Sequence, residues 1–152
     1  DTILTTPQIF EIEGKDLVLC TEDWYEPYHR FNYLVNIRVH HKLSAVCHNA
    51  LMDVNVCQNL LSYLASKGSN SWMDFVLETM KSSPDTSFSE FQIYKDFLFS
   101  KYRNNCHIEF ASNRSEPWKY RDLNQSNLDS MCSSHRSVSF HSWREKKLTI
   151  NR

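Results

Sequence analysis

The middle third of the chain most constrains the fold. Between Leu43 and Tyr102 apolar residues recur at helical spacing, broken at Lys67-Gly68 and again at Ser82-Ser83-Pro84. Leu43, Val46, Cys47, Ala50 and Leu51 form one stripe, and Cys57, Leu60, Leu61 and Leu64 form the next, with Asp53 between them as a capping or turn residue. Gly68 has the freedom to take the positive φ that closes a helix, and Lys67 then faces the negative end of the helix dipole. Ser71 with Asp74, and Ser87 with Glu90, have capping-box spacing and predict two further helix starts. The first of these helices buries Trp72, Phe75, Val76 and Met80, and the second carries Phe91, Tyr94, Leu98 and Tyr102 along one side. Phe88, Phe97 and Phe99 lie off that stripe, so the last helix is central to a core or part of an interface.

The flanks have a different period. Ile9 to Ile12 and Leu17 to Leu19 read as two short strands joined by a tight turn at Glu13-Gly14-Lys15-Asp16. Tyr33, Val35, Ile37 and Val39 alternate with Leu34, Asn36, Arg38 and His40, which predicts a third strand. Further strands are expected at His107 to Ala111, Ser137 to Trp143 and Lys147 to Asn151, with Ser112 to Ser134 as a long loop carrying a turn of helix. The expectation is an α+β fold. Three to four helices over about 42–103 pack on an antiparallel sheet formed by strands from the 8–40 and 107–151 flanks. The alternative is an all-α bundle.

A chain of 152 residues fits one globular domain, 1–152, and 41% apolar with 13% aromatic residues suffices for a core. With two glycines in the whole chain, a glycine-rich phosphate cradle is disfavoured, and no nucleotide or other cofactor is expected. No stretch approaches the roughly 20 apolar residues that span a bilayer, so no membrane partner is expected either. Because the sequence starts at Asp1 and stops inside a strand-like pattern, we expect a fragment of a longer intracellular protein. Cys20, Cys47, Cys57, Cys106 and Cys132 are odd in number and irregularly spaced, which favours a reducing compartment, cytoplasmic or nuclear. The Asn-x-Ser patterns at Asn113 and Asn124 carry little weight in a serine-rich chain.

Charge is balanced overall and uneven along the chain. Residues 1–30 hold seven acidic and two basic residues, a net of −5, and residues 136–152 hold five basic and one acidic, a net of +4. Opposite ends that neutralise each other across paired strands account for this. The functional alternative is a nucleic-acid surface formed by Arg136, Phe140, Trp143, Arg144, Lys146 and Lys147, where aromatic rings among cations supply stacking.

For metal, Cys106, His107, Cys132 and His135 are the candidate ligands, flanking the long loop that most needs a staple, although only Cys132-x-x-His135 has a normal ligand-pair spacing. Pro84-Asp85 with Glu90 and Lys95 resembles the carboxylate-and-lysine set of metal-dependent nucleases, but the carboxylate needed two residues before the lysine is Ile93. No serine lies in a nucleophile elbow, and no catalytic residue is assigned. Leu60-Leu61-x-x-Leu64-x-x-Lys67-Gly68 followed by Trp72, Phe75 and Val76 resembles the penultimate helix pair of caspase-recruitment (death-fold) modules. That resemblance implies an all-helical bundle that assembles with similar domains, whereas the residues before Leu43 read as strands. The function expected from the sequence is a non-enzymatic interaction domain whose partner is another protein. Phe88, Phe97, Phe99 and Trp118, or a strand edge, would make the contact. Nucleic acid is the alternative partner, and an enzyme without a recognisable motif the third reading.

Overall fold

The computed structural model describes residues 2–4, 9–21, 25–39, 43–47, 50–68, 70–110, 113–116, 124–135 and 137–140. In chain order the elements are β1 (Thr2–Leu4), β2 (Glu11–Ile12), β3 (Lys15–Cys20), α1 (Glu26–Leu34), α2 (Val54–Ala65), α3 (Trp72–Ser82), α4 (Glu90–Tyr102), β4 (Cys106–Phe110), β5 (Asn113–Glu116), α5 (Gln125–Ser134) and β6 (Ser137–Phe140). The fold is α+β, as expected, and the all-α alternative implied by the death-fold resemblance is set aside by the strands. The strands form two sheets, β2-β3-β4 and β1-β6-β5, where the sequence suggested a single one. Phe10–Glu109 forms one compact unit, and Asp1–Ile9 with Phe110–Arg152 forms another.

In the larger unit β2 and β3 pair antiparallel, Ile12 opposite Lys15, across a two-residue turn. Both turn residues have positive φ, 53° at Glu13 and 73° at Gly14, which is the backbone handedness that suits the right-handed twist of a hairpin. Leu17 to Cys20 are all buried, so both faces of β3 are covered.

Helix starts follow the capping residues. Asp53 accepts from Val56 N at 2.9 Å, and Ser71 accepts from Asp74 N at 3.1 Å while its hydroxyl donates to Asp74. The last helix of this unit starts two residues later than expected: Ser89, not Ser87, is its cap, accepting from Gln92 N. α2 buries Val56, Leu60 and Leu64, four residues apart on one face, and α3 buries Val76 with Trp72, Phe75 and Met80 half-buried beside it. α4 is buried from Gln92 to Phe99 on every side and forms the centre of the core.

Of the predicted strand over Tyr33 to His40, Tyr33 and Leu34 are the end of α1, Val35 to Val39 follow it outside any strand, and His40 lies outside the described residues. Pro27 in the first turn favours the helix start, and the helix closes in a Schellman turn with Asn36 at φ 63°: Ile37 N bonds to Asn32 O and Asn36 N to Tyr33 O. The period-two pattern still forecasts burial here, because Val35 and Ile37 are buried while Asn36 and Arg38 are exposed.

The predicted helix over Leu43 to Leu51 is absent from its described residues. Ser44 bridges to Thr21 through paired backbone bonds of 2.8 and 3.0 Å, Ala45 N donates to Gln92 Oε1, and Leu43 O accepts from Lys95 Nζ. Side chains of α4 have taken the backbone groups that a helix would need for itself.

In the smaller unit β1, a strand the sequence did not reveal, runs antiparallel to β6, Thr2 opposite Ser139; the expected pairing of a strand from 8–40 with one from the C-terminal flank is that of β3 with β4. β5 and β6 are parallel, with α5 as the intervening crossover helix. Where a loop with a turn of helix was expected over Ser112 to Ser134, the described residues form β5 and the three-turn helix α5, which Asn124 caps by accepting from Asn127 N. The strand expected at Lys147 to Asn151 lies outside the described residues.

Candidate functional site

Phe97 and Phe99 are buried in the core, and Phe88 packs edge-on against Phe31 with ring centroids 5.4 Å apart. These three rings therefore do not form the exposed patch that the sequence suggested; helix α4 spends its aromatics on packing. Trp118 lies outside the described residues, as do Arg136, Trp143, Arg144, Lys146 and Lys147 of the nucleic-acid alternative. Phe140 is the last residue of β6. Of the metal candidates, Cys106 and His107 belong to β4 and Cys132 to α5, which His135 caps at its C-terminus. Among the described residues no group of three or more His, Cys, Asp or Glu side chains is placed to hold an ion.

The exposed aromatic and aliphatic residues are elsewhere. Because α1 ends where it does, Tyr33 and Leu34 fall on its outer side, 60% and 55% exposed. They line an open groove of about 470 Å³ with Arg30, Pro84, Asp85 and Thr86. The far wall is the turn between α3 and α4, and it is fixed rather than loose. Thr86 donates to Ser83 O from both its backbone and its hydroxyl, at 3.0 and 2.6 Å, and Ser87 N donates to Pro27 O of α1 at 3.1 Å. Arg30 stands between Glu26 and Asp85, 3.8 and 3.9 Å away, both contacts being solvent-exposed and worth little to stability. The groove thus offers the Tyr33 and Pro84 rings and the Leu34 methyl groups, edged by one cation, Arg30, and one carboxylate, Asp85.

Beneath the same helix is a buried polar network that the sequence reading missed. Lys95 and Asp96, both fully buried, pair at 3.2 Å. Asp96 Oδ2 accepts from Asn32 Nδ2 at 2.7 Å and from Gln92 Nε2 at 3.0 Å. His29 and Cys20 are buried nearby, and burial lowers the His29 pKa and pushes the Cys20 thiol up to about 11. Lys95 and Asp96 oppose one another on both groups: on Cys20 the lysine lowers and the aspartate raises, and on His29 the aspartate raises and the lysine lowers. The signal available in the sequence was a Lys-Asp pair inside a helix that is otherwise apolar all round, because charges at such positions are buried only when paired.

Burial also raises the Cys57 and Cys106 thiols, the reverse of what a nucleophilic thiolate needs. Among the described residues no helix is long and apolar enough to cross a membrane. Fold and groove together define an α+β unit with an open cleft beside α1 and a small buried polar network under it. Comparison of the chain with profiles of known protein families, with curated proteins and with solved structures gives no match.

Proposed function

We propose that the chain is a non-enzymatic protein-interaction domain of a larger intracellular protein, and that it receives a segment of a partner protein in the groove between α1 and the Ser83 to Thr86 turn. The observation that carries this reading is the exposure of Tyr33 and Leu34 side by side on the groove wall. Large apolar side chains at the edge of a concave surface are what a partner's side chains bury first. The raised thiol pKa values support the non-enzymatic part, and five free cysteines support a reducing compartment, cytoplasm or nucleus.

The test is site-specific photo-cross-linking in cells, with a benzophenone amino acid at position 34 and, as control, at exposed position 67 on the end of α2. A discrete protein adduct from position 34 that disappears when Tyr33→Asp is added, and does not form from position 67, is the expected result. The same adducts from both positions, or none from position 34 in a protein that retains its folded circular-dichroism spectrum, would sink the proposal.

A further inference from the structure

The turn that walls the groove carries a Ser-Pro dipeptide, Ser83-Pro84, which the binding role leaves unused. Ser83 closes α3 with its backbone: its amide donates to Thr79 O, and its carbonyl accepts from Thr86. Its side chain is not spent in this way. Among the described residues Ser83 Oγ makes no hydrogen bond, whereas the neighbouring Ser82 hydroxyl donates to Thr79 O at 3.0 Å. Pro84 keeps Ser83 out of the helical region, at φ −135° and ψ 78°, and Pro84 and Asp85 after it are exposed. A proline in that place has no amide hydrogen to be left unpaired when an enzyme covers the position after the acceptor hydroxyl with an apolar wall. On the α1 side of the groove, Arg30 lies 3.8 and 3.9 Å from Glu26 and Asp85, too far for a hydrogen bond. Among the described residues no guanidinium N–H of Arg30 is hydrogen-bonded.

We propose that Ser83 is a phosphorylation site for a proline-directed protein kinase, and that its phosphate ties the turn to Arg30 and closes the groove. In the transfer, Ser83 Oγ bonds to the γ-phosphorus of ATP while the bond from that phosphorus to the β–γ bridging oxygen breaks. ADP leaves, and the hydroxyl proton passes to the catalytic aspartate of the kinase. The kinase takes its acceptor on an extended chain, which opens the end of α3 and the two Thr86 bonds; Lys81, Ser82, Pro84 and Asp85 around them are exposed, so the opening is local. The phosphate brings a charge of about −1.5 to −2 and three acceptor oxygens to a wall where the C-terminal end of α3 and the Asp85 carboxylate both repel it. Arg30 is the cation that lines the same groove, and its guanidinium fork suits two oxygens of one phosphate. It already reaches the turn at Asp85, two residues from Ser83. The modification stands on its own, while its bearing on a partner rests on the groove function proposed above.

The experiment uses the intact, folded chain with ATP and an active mitogen-activated protein kinase. Thr6-Pro7, the other dipeptide of this kind, lies outside the described residues and is removed as Thr6→Ala in every sample. Mass-spectrometric mapping is expected to place phosphate on Ser83, at a rate several-fold lower in Pro84→Ala. No phosphate on Ser83 in the folded chain, phosphate on Ser82 in its place, or an undiminished rate in a folded Pro84→Ala overturns the site. If Pro84→Ala does not fold, the mapping of the parent chain decides. Phosphorus-31 titration reads the tie: the second phosphate pKa is expected to be lower in the phosphorylated chain than in phosphorylated Arg30→Gln, and equal values overturn it. Closure is read from alkylation of Leu34→Cys, measured against exposed Cys132 as internal reference. Phosphorylation is expected to slow labelling at position 34 several-fold, and an unchanged rate overturns closure. None of these readouts uses a partner, so a groove that captures no protein removes the proposed function and leaves this inference to its own tests.

Discussion

Asn36 holds a left-handed backbone, φ 63°, at the point where α1 must stop, and the two bonds of the Schellman turn depend on it. Asparagine tolerates that region better than other residues with a Cβ, so Asn36→Ala should lower stability by about 1 kcal/mol while Asn36→Gly leaves it unchanged or slightly raised, read from urea midpoints. Gly14 sits at φ 73° with open space where a Cβ would go, so Gly14→Ala should cost about 1 kcal/mol through backbone strain alone. Cysteine reactivity provides a second residue-level test. Cys132 is exposed, whereas Cys20 is buried with its pKa raised from 9.0 to about 11, which alone cuts its thiolate fraction about 100-fold at neutral pH. Alkylation followed by mass spectrometry should label Cys132 first and Cys20 only on unfolding. Rapid labelling of Cys20 in the folded chain would contradict its placement in the core.

Among elements, α4 has a double role, packing apolar residues on every side while anchoring its neighbours through Gln92, Lys95 and Asp96. Removing one member of a buried ion pair leaves the other uncompensated, so Lys95→Met and Asp96→Ala should each cost about 3–5 kcal/mol. The double variant should cost less than the sum of the two, and additive losses would show that the pair is not coupled. α2 and α3 were legible in the sequence because their starts are marked by residues that cap them directly, Asp53 and Ser71. The segment from Leu43 was not, because its stripe fits a helix equally well and its true conformation is set by side chains far along the chain. Tyr33 and Leu34 were misread for a related reason. Alternation from Val35 onward is genuine in burial, but Pro27 and Asn36 bracket a helix that the alternation overlaps. With that helix unrecognised, the groove it borders was invisible, while Phe97 and Phe99 looked surplus only because a helix buried on all sides has no polar face to reveal its place.

On the scale of the whole chain, every residue of the main core cluster, from Val18 to Cys106, belongs to the Phe10–Glu109 unit. A fragment of residues 10–109 should therefore fold cooperatively by itself, with near-ultraviolet circular dichroism and a single urea transition; a fragment without tertiary signal would refute this. Stability should also depend on pH through His29. Burial is the largest influence on it and lowers its pKa; Asp96 raises it, Lys95 lowers it and Glu26 raises it, leaving the folded value below the ordinary 6.5. Above 6.5 this contribution to stability is complete. As pH falls below that point the unfolded chain takes up a proton that the folded chain resists, and stability is lost down through the folded pKa. Urea midpoints at about pH 7.5 and about pH 5.5 should differ more in the wild type than in His29→Gln, because only the wild type carries this titration.

The irregular segment at Leu43 to Ala45 has a consequence in time. Beside the bridge from Ser44 to Thr21, its backbone partners are Lys95 and Gln92, 52 and 47 residues away in sequence, so its shape is completed only when the chain has closed a long loop around it. Such contacts belong on the late side of the folding barrier. Gln92→Ala should accordingly speed unfolding while leaving the folding rate nearly unchanged, so that the segment is the last part of the core to lock and the first to let go.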